Sequence, residues 1–359
     1  MKKQAKSTTD ASTKPATANQ RTSRDILTGQ AYKVIEAAYN SIPTALCGPG
    51  DFSFTRNGVL SVELLTTFLT CMVADGNRSG IRHLTLNFWE DAAAQGVLLP
   101  CVDPVSASAI CQARQRLPES LFRCLLTALA DEAGCGAATQ RWKGKRVYAV
   151  DGALINLNRS PDLVDAFGMA KGTYTPQIRL SALVDVFNRA PIAYEVDGRM
   201  KAGEREHLIR MLPLIRPGDL AILDRGYPSG EVLLKCGAAG IDFLIRCPSS
   251  QTFAFIDAFR ESGESDTTIT TDLALNGSPE AQSVKLRLVR IDGPNGPSFY
   301  ITSLAPSIAS VKEISDLYHL RWQVEEYFKL FTSEYAGQKQ FRSTSPKGVR
   351  QEIGALLPL

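Results

Sequence analysis

The sequence predicts an α/β fold, a mixed sheet flanked by helices, preceded by a helical N-terminal domain. Three observations predict it. Hydrophobic periodicity is helical from Ile26 to about Gln140 and changes to short β-rich runs at Arg146. From there to Cys247, strand-like and helix-like segments alternate, the pattern of a partly parallel sheet covered by helices. Between about 248 and 305 the helix signals fade into a β-rich insertion, which leads to a last amphipathic helix. The expected division is therefore a disordered polar tail over 1–25, a helical domain over 26–140 and an α/β domain over 141–359.

Each element has its own signal. Residues 1–25 are rich in Ser, Thr, Ala and Lys without periodicity, hence the expected disorder. SVELLTTFLTCMVADG (61–76) and IRHLTLNFWEDAAAQG (81–96) read as helices, Ser106 can N-cap SASAICQARQRL, and Pro118 opens PESLFRCLLTALADEAG (118–134). One of these helices presents Gln112, Arg114 and Arg116, which suits a DNA-binding module; a bundle that merely supports its neighbour is the equal alternative. RVYAV (146–150) is a strand that runs to Asp151, while IRLSALVDVF (178–187) and PIAYEV (191–196) form a hairpin about Asn188-Arg189. GEREHLIRMLPLI (203–215) is an amphipathic helix stopped by Pro217-Gly218, and DLAIL (219–223) is a buried strand ending at Asp224. SGEVLLKCGAAG (229–240) is a helix and IDFLIRC (241–247) a strand; VKLRLVRI (284–291) and SFYITSL (298–304) pair across DGPNGP.

Composition removes several function classes. None of the 359 residues belongs to an apolar run of about eighteen, the length a membrane span needs, and no apolar segment follows the N-terminal lysines as a secretory signal requires. The eight cysteines are scattered without a CxxC pair and read as reduced thiols of a cytoplasmic protein rather than a zinc site. His83, His207 and His319 lie far apart, which disfavours histidine chemistry. A net charge of +3 does not announce nucleic-acid binding, and the basic run RWKGKR (141–146) reads first as a solvated linker and second as a phosphate contact.

Three acidic residues stand out by placement. Asp151 interrupts a buried strand, Asp224 ends another before a glycine turn, and Glu325 lies on the last helix. Ligands of open α/β sheets bind beyond the carboxyl ends of the strands, so the two aspartates can share a cleft. Clustered carboxylates repel unless a cation joins them, and oxygen-only ligands favour Mg²⁺ or Mn²⁺. Each aspartate also fits a plain turn, and Asp185, which leads into the hairpin, reads as one. On YHLRWQVEEYFKLF (318–331), taken as one helix, Tyr318, Arg321, Glu325 and Lys329 share a stripe beside the apolar face, whereas Glu326 points to solvent. The plain reading of that stripe is a ladder of i,i+4 ion pairs.

Taken together these pieces resemble the bacterial insertion-sequence DDE transposases of the insertion sequence four family, with the signature Y-x2-R-x3-E-x6-K. Tyr318, Arg321 and Glu325 match its first three members, LDRGY (223–227) the second-acid motif and VDGALINL (150–157) the first. The resemblance covers roughly residues 100–355 and includes QARQRLP before the core. It implies an RNase H-like core in which Asp151, Asp224 and Glu325 are catalytic and hold two Mg²⁺ ions, replaceable by Mn²⁺. The implied chemistry is cleavage at the element's ends and their joining to target DNA, by a homodimer that pairs two terminal inverted repeats in the bacterial cytoplasm, associated with the nucleoid when bound to DNA. It further implies DNA contacts by Tyr318, Arg321, Lys329, Arg225 and Tyr227. Phe253, Phe255 or Phe299 would replace the base-holding tryptophan that some relatives carry in the β insertion.

Two departures qualify the match. Position 332, where the signature has lysine, is Thr332, and Lys329 lies one turn earlier on the same face. The sequence also stops at Leu359, where relatives usually continue. A truncated, catalytically impaired DNA-binding remnant is thus the alternative expectation, and a nuclease without strand transfer the third.

Overall fold

A computed structural model describes residues 21–42, 59–75, 79–135, 139–250, 253–275, 280–330 and 341–357. The N-terminal region folds as helices α1 (Arg21–Ser41), α2 (Val62–Asp75), α3 (Ile81–Ala94), α4 (Ala107–Arg116) and α5 (Ser120–Cys135). Ser106 caps α4 through the backbone N–H of Ala109. The first helix begins at Arg21, inside the stretch expected to be disordered, because its helical run starts ahead of the apolar residues that signal it.

The second region is built on one eight-stranded sheet, ordered β3 (Ala190–Gly198), β2 (Gln177–Asp185), β1 (Val147–Asn156), β4 (Leu220–Leu223), β5 (Asp242–Arg246), β8 (Gly296–Thr302), β7 (Ala281–Gly293), β6 (Asp266–Ala274). β1, β4 and β5 are parallel and their neighbours antiparallel. Alternate side chains feed two cores. Val147, Ala149, Leu220 and Ile222 pack on one face with α6 (Pro161–Phe167), α10 (Val311–His319), α11 (Trp322–Leu330) and α12 (Pro346–Leu356). Tyr148, Val150, Ala221 and Leu223 pack on the other with α7 (Glu204–Met211), α8 (Gly230–Ala238) and α9 (Ala254–Ser262). This mixed, helix-covered sheet is the expected RNase H-like core.

Two expectations need correction. The β-rich insertion also contains α9, where Ile256 and Phe259 are buried, and its strands extend the main sheet through β8, which pairs with β5. The late helix is not continuous. α10 ends at His319 and α11 starts at Trp322, because Leu320, Arg321, Gln323 and Val324 bond three residues back rather than four. Such a 3₁₀ joint turns the second half relative to the first.

The helical region and the sheet are interlocked. Ala355 of α12 lies in the core of α1–α5, while Val349, Ile353 and Leu356 of the same helix lie in the sheet core. Arg114, for which a DNA-reading face and a supporting role were equal expectations, is a clamp within this junction. Its guanidinium donates to Gln351 Oε1 (2.8 Å), Gly348 O (2.5 Å) and Glu352 Oε1 (2.7 Å). The basic run at 141–146 is likewise structural. Arg146 pairs with buried Asp185 at 2.9 Å, Lys143 with Glu313 at 2.7 Å and Lys145 with Asp242 at 2.8 Å. Asp185 also accepts from the backbone N–H groups of Phe187 and Asn188, the turn role read from its position.

Candidate active site

Strand register brings the two aspartates together. Val147, Tyr148 and Ala149 of β1 lie opposite Leu220, Ala221 and Ile222 of β4, so the same offset sets Asp151 opposite Asp224, the first residue beyond β4. Adjacent strands are about 4.8 Å apart. Both positions continue the series Val147–Ala149 and Leu220–Ile222, so their side chains share the face on which Val324 and Phe328 seat α11. Glu325 follows Val324 on that helix.

Each aspartate is anchored by a nearby glycine N–H, Asp151 within β1 and Asp224 in the turn after β4. Asp151 Oδ1 accepts from the N–H of Gly152 at 2.8 Å, and Asp224 Oδ1 from that of Gly226 at 2.5 Å. Burial pushes the Asp151 carboxyl up to about 6; the Gly152 N–H and Arg321 oppose this, and Asp224 and Glu204 add to it. Arg321 lies within the field of both aspartates and bonds Glu325 directly. Its Nε has no partner among the described residues. Tyr318 packs edge-on against Tyr300, with ring centroids 4.8 Å apart, beneath the Arg321 guanidinium. Burial, with the charge of Asp224, pushes the Tyr318 phenol up to about 12 although Arg321 pulls it down.

The expected glutamate ladder forms only in its first half. Arg321 holds Glu325, but Lys329 bonds Glu326 and lies 4.9 Å over the Trp322 ring. Arg225 is exposed beside Asp224, available to a ligand, whereas Tyr227 is only 1% exposed. A direct DNA contact by Tyr227 is thus contradicted, because its ring turns back into the core under α7 and α8. Phe253 and Phe255 stack on each other at 4.8 Å and Phe299 packs against Phe259. Thr332 lies outside the described residues.

A fourth acid was missed by sequence reasoning. Glu204, at the start of α7, bonds Arg179 and reaches the backbone after both aspartates: a Cβ on Gly152 would meet its Cγ at 3.4 Å, and one on Gly226 its Oε2 at 4.0 Å. In GEREHL it looked like the ordinary acidic first turn of a helix.

The donor set suits a hard divalent cation. Asp151 and Asp224 offer oxygen only, side by side, with their second oxygens turned from their loop bonds, and their mutual repulsion calls for positive charge. Arg321 supplies some of that charge and occupies Glu325. Among the described residues no three His, Cys, Asp or Glu side chains are grouped closely enough to hold a metal ion. The aspartate pair fits the cation that the fold family implies, while Glu325 is held by Arg321.

A family profile described as Transposase DDE domain matches residues 142–357. The transposase InsG for insertion sequence element IS4 of Escherichia coli (strain K12) is 24% identical over 276 residues, 73% of this chain and 61% of that protein. The chain thus spans about three-fifths of the relative's length. Among solved structures, a piggyBac transposase synaptic complex with hairpin DNA aligns over 92% of this chain and 72% of its own, at 12% identity and TM-score 0.45. A Ciona intestinalis endonuclease V in complex with DNA aligns over 63% and 100%, at 10% identity and TM-score 0.24. No helix among the described residues is long and apolar enough to cross a membrane. The profile spans the sheet, both aspartates and the Glu325 helix, and this chain belongs to the transposase DDE domain family.

Proposed function

We propose that this chain is a transposase that cleaves DNA at the ends of an insertion sequence and joins those ends to target DNA. The register-matched pair Asp151–Asp224, lying under the helix that carries Glu325 and the joint that carries Arg321, supports the reading. Bound Mg²⁺, two ions in the full scheme and replaceable by Mn²⁺, supplies charge to the displaced phosphodiester and acidifies the attacking water or 3′-hydroxyl. Asp151 and Asp224 would hold it through the oxygens their glycine N–H groups leave over, and Glu325 would be the third carboxylate available to it if its bond to Arg321 opened. Arg321 then presents its planar donors to a phosphate beside the cut, with the Tyr318 hydroxyl alongside. Arg225 and Lys329, both exposed, add charge along the DNA backbone.

The partners in this reading are DNA carrying terminal inverted repeats, target DNA and a second copy of the chain, in the bacterial cytoplasm at the nucleoid. Purified protein with Mg²⁺ and repeat-ended DNA is expected to cut at the repeat ends and join them to a second duplex. Removing partners one shell out from a metal costs about 10–100-fold, so Asp224→Asn is expected to cost at least ~100-fold in cleavage. Cleavage unchanged in Asp224→Asn, or nicking of any duplex without joining, refutes the proposal.

A further inference from the structure

Beyond the carboxyl end of β1 the sheet carries a rim that the cation site does not use. Three segments meet there: residues 154–159, 171–176 and 199–205. They are tied together by Leu157 N–H donating to Pro176 O (2.9 Å), Gln177 Nε2 to Asn156 Oδ1 (2.7 Å) and Arg199 Nη1 to Gln177 Oε1 (2.7 Å). Arg205 Nε donates to Gly226 O at 2.8 Å, so the rim continues into the turn that follows Asp224.

Its chemistry is one-sided. Arg159, Lys171, Arg199, Lys201 and Arg205 are all exposed, against a single carboxylate in the three segments, Glu204, which Arg179 already bonds. Tyr174 is 77% exposed and Met200 72%, among the largest apolar surfaces the described residues leave in water. The Arg159 guanidinium lies 4.9 Å from the centre of the Tyr174 ring. It backs one face of the ring and leaves the other open.

An exposed aromatic face set among cations, with no helix or strand aimed at a groove, matches the stacking platforms that hold unpaired bases while basic residues follow the backbone. We infer that this rim binds a single-stranded or frayed DNA end, with Tyr174 stacking on an unpaired base and Arg199, Lys201 and Arg205 taking phosphates on the way to Asp224. The inference rests on the DNA-cutting reading for its substrate class and extends it to the path of the strand.

Fluorescence anisotropy on the full chain in EDTA, where no cation supports cleavage, tests it with two probes: a duplex with a 3′ single-stranded overhang, and a relaxed, covalently closed circular duplex of the same sequence, which has neither ends nor unpaired bases. One base stack is worth roughly five- to a hundred-fold, so Tyr174→Ala is expected to weaken overhang binding about tenfold. The closed duplex is expected to be spared, and Tyr174→Phe to restore overhang binding. Lys201→Ala is expected to weaken both probes and to flatten the slope of log K against log salt by about one. Overhang binding unaffected by Tyr174→Ala overturns the inference, as does an equal loss on both probes. A change in self-association in place of DNA binding overturns it too, making the rim a protein contact. If the wild-type chain cuts repeat ends while Tyr174→Ala binds normally, the rim alone is refuted; if the wild type neither binds nor cuts, the DNA reading falls with it.

Discussion

Two arginine–glutamate pairs in this molecule are built to opposite ends. Arg114–Glu352 joins α4 to α12, with the glutamate 2% exposed at its side chain. Glu352 also accepts the N–H groups of Arg342 (2.8 Å) and Ser343 (3.1 Å), while Gln351 ties the two helices again by donating to Arg114 O and Leu117 O. Arg321–Glu325 joins neighbours one turn apart, with the glutamate 34% exposed and the arginine Nε without a partner among the described residues. The first pair spends its donors and acceptors on the fold. The second keeps some in reserve, in the field of two aspartates. What separates a structural ion pair from a working one here is how completely its partners are satisfied, since the residue types are the same.

The sharpest way to break that comparison is to remove each glutamate's charge. Breaking a buried pair leaves an uncompensated charge and costs about 3–5 kcal/mol, so Glu352→Ala is expected to lose that much in denaturant-induced unfolding. The double substitution Arg114→Leu/Glu352→Leu is expected to recover part of it, because apolar replacements of a buried pair are often tolerated. A Glu352→Ala loss below about 1 kcal/mol, the level of a surface pair, would erase the distinction.

Acidity offers a second, smaller probe. The Asp151 carboxyl is raised from 3.8 to about 6, so between those values the folded chain holds a proton that the unfolded chain has released. The metal-free protein therefore loses stability as pH rises through that window, and Asp151→Asn is expected to abolish this slope. Divalent cation must compete with the same proton. Its affinity, measured by calorimetric titration, is expected to fall about tenfold per pH unit below 6 and to level off above it. An affinity flat from pH 5 to 7 would show that Asp151 is not a ligand.

How much of this was legible in the sequence follows from the range of each interaction. Asp151 and Asp224 were visible because an acid followed by or near glycine after an apolar run is a local pattern, although only Asp224 lies at its strand's end and β1 continues through Asp151 to Asn156. Their mutual register was not, since it depends on pairing between residues 73 apart in the chain. The two readings of the Arg114 helix stayed equal because its partners lie 234–238 residues away. Tyr227 was misread because a turn motif says where the backbone goes and not that a side chain folds back into the core. The joint at Leu320–Arg321 has no proline or glycine to mark it, and its cause lies in two helices seating Leu317 and Val324 in the same core. Glu204 was hidden because its significance comes from Gly152 and Gly226, which let its side chain approach.

The smallest effect is the most telling about the second pair. Glu325→Gln removes the charge that faces Arg321 while keeping the side chain's volume and its place beside Val324. An i,i+4 pair at this exposure is worth roughly 0.3–0.5 kcal/mol, and the freed guanidinium still feels Asp151 and Asp224. Unfolding stability is therefore expected to change by less than about 1 kcal/mol, even as cation binding and strand cleavage collapse. A loss approaching that of Glu352→Ala would mean that Arg321–Glu325 holds the α10–α11 joint together and is no reserve at all. A negligible loss would mean that the chain tolerates this pair being opened, as a site that must trade an arginine for a cation requires.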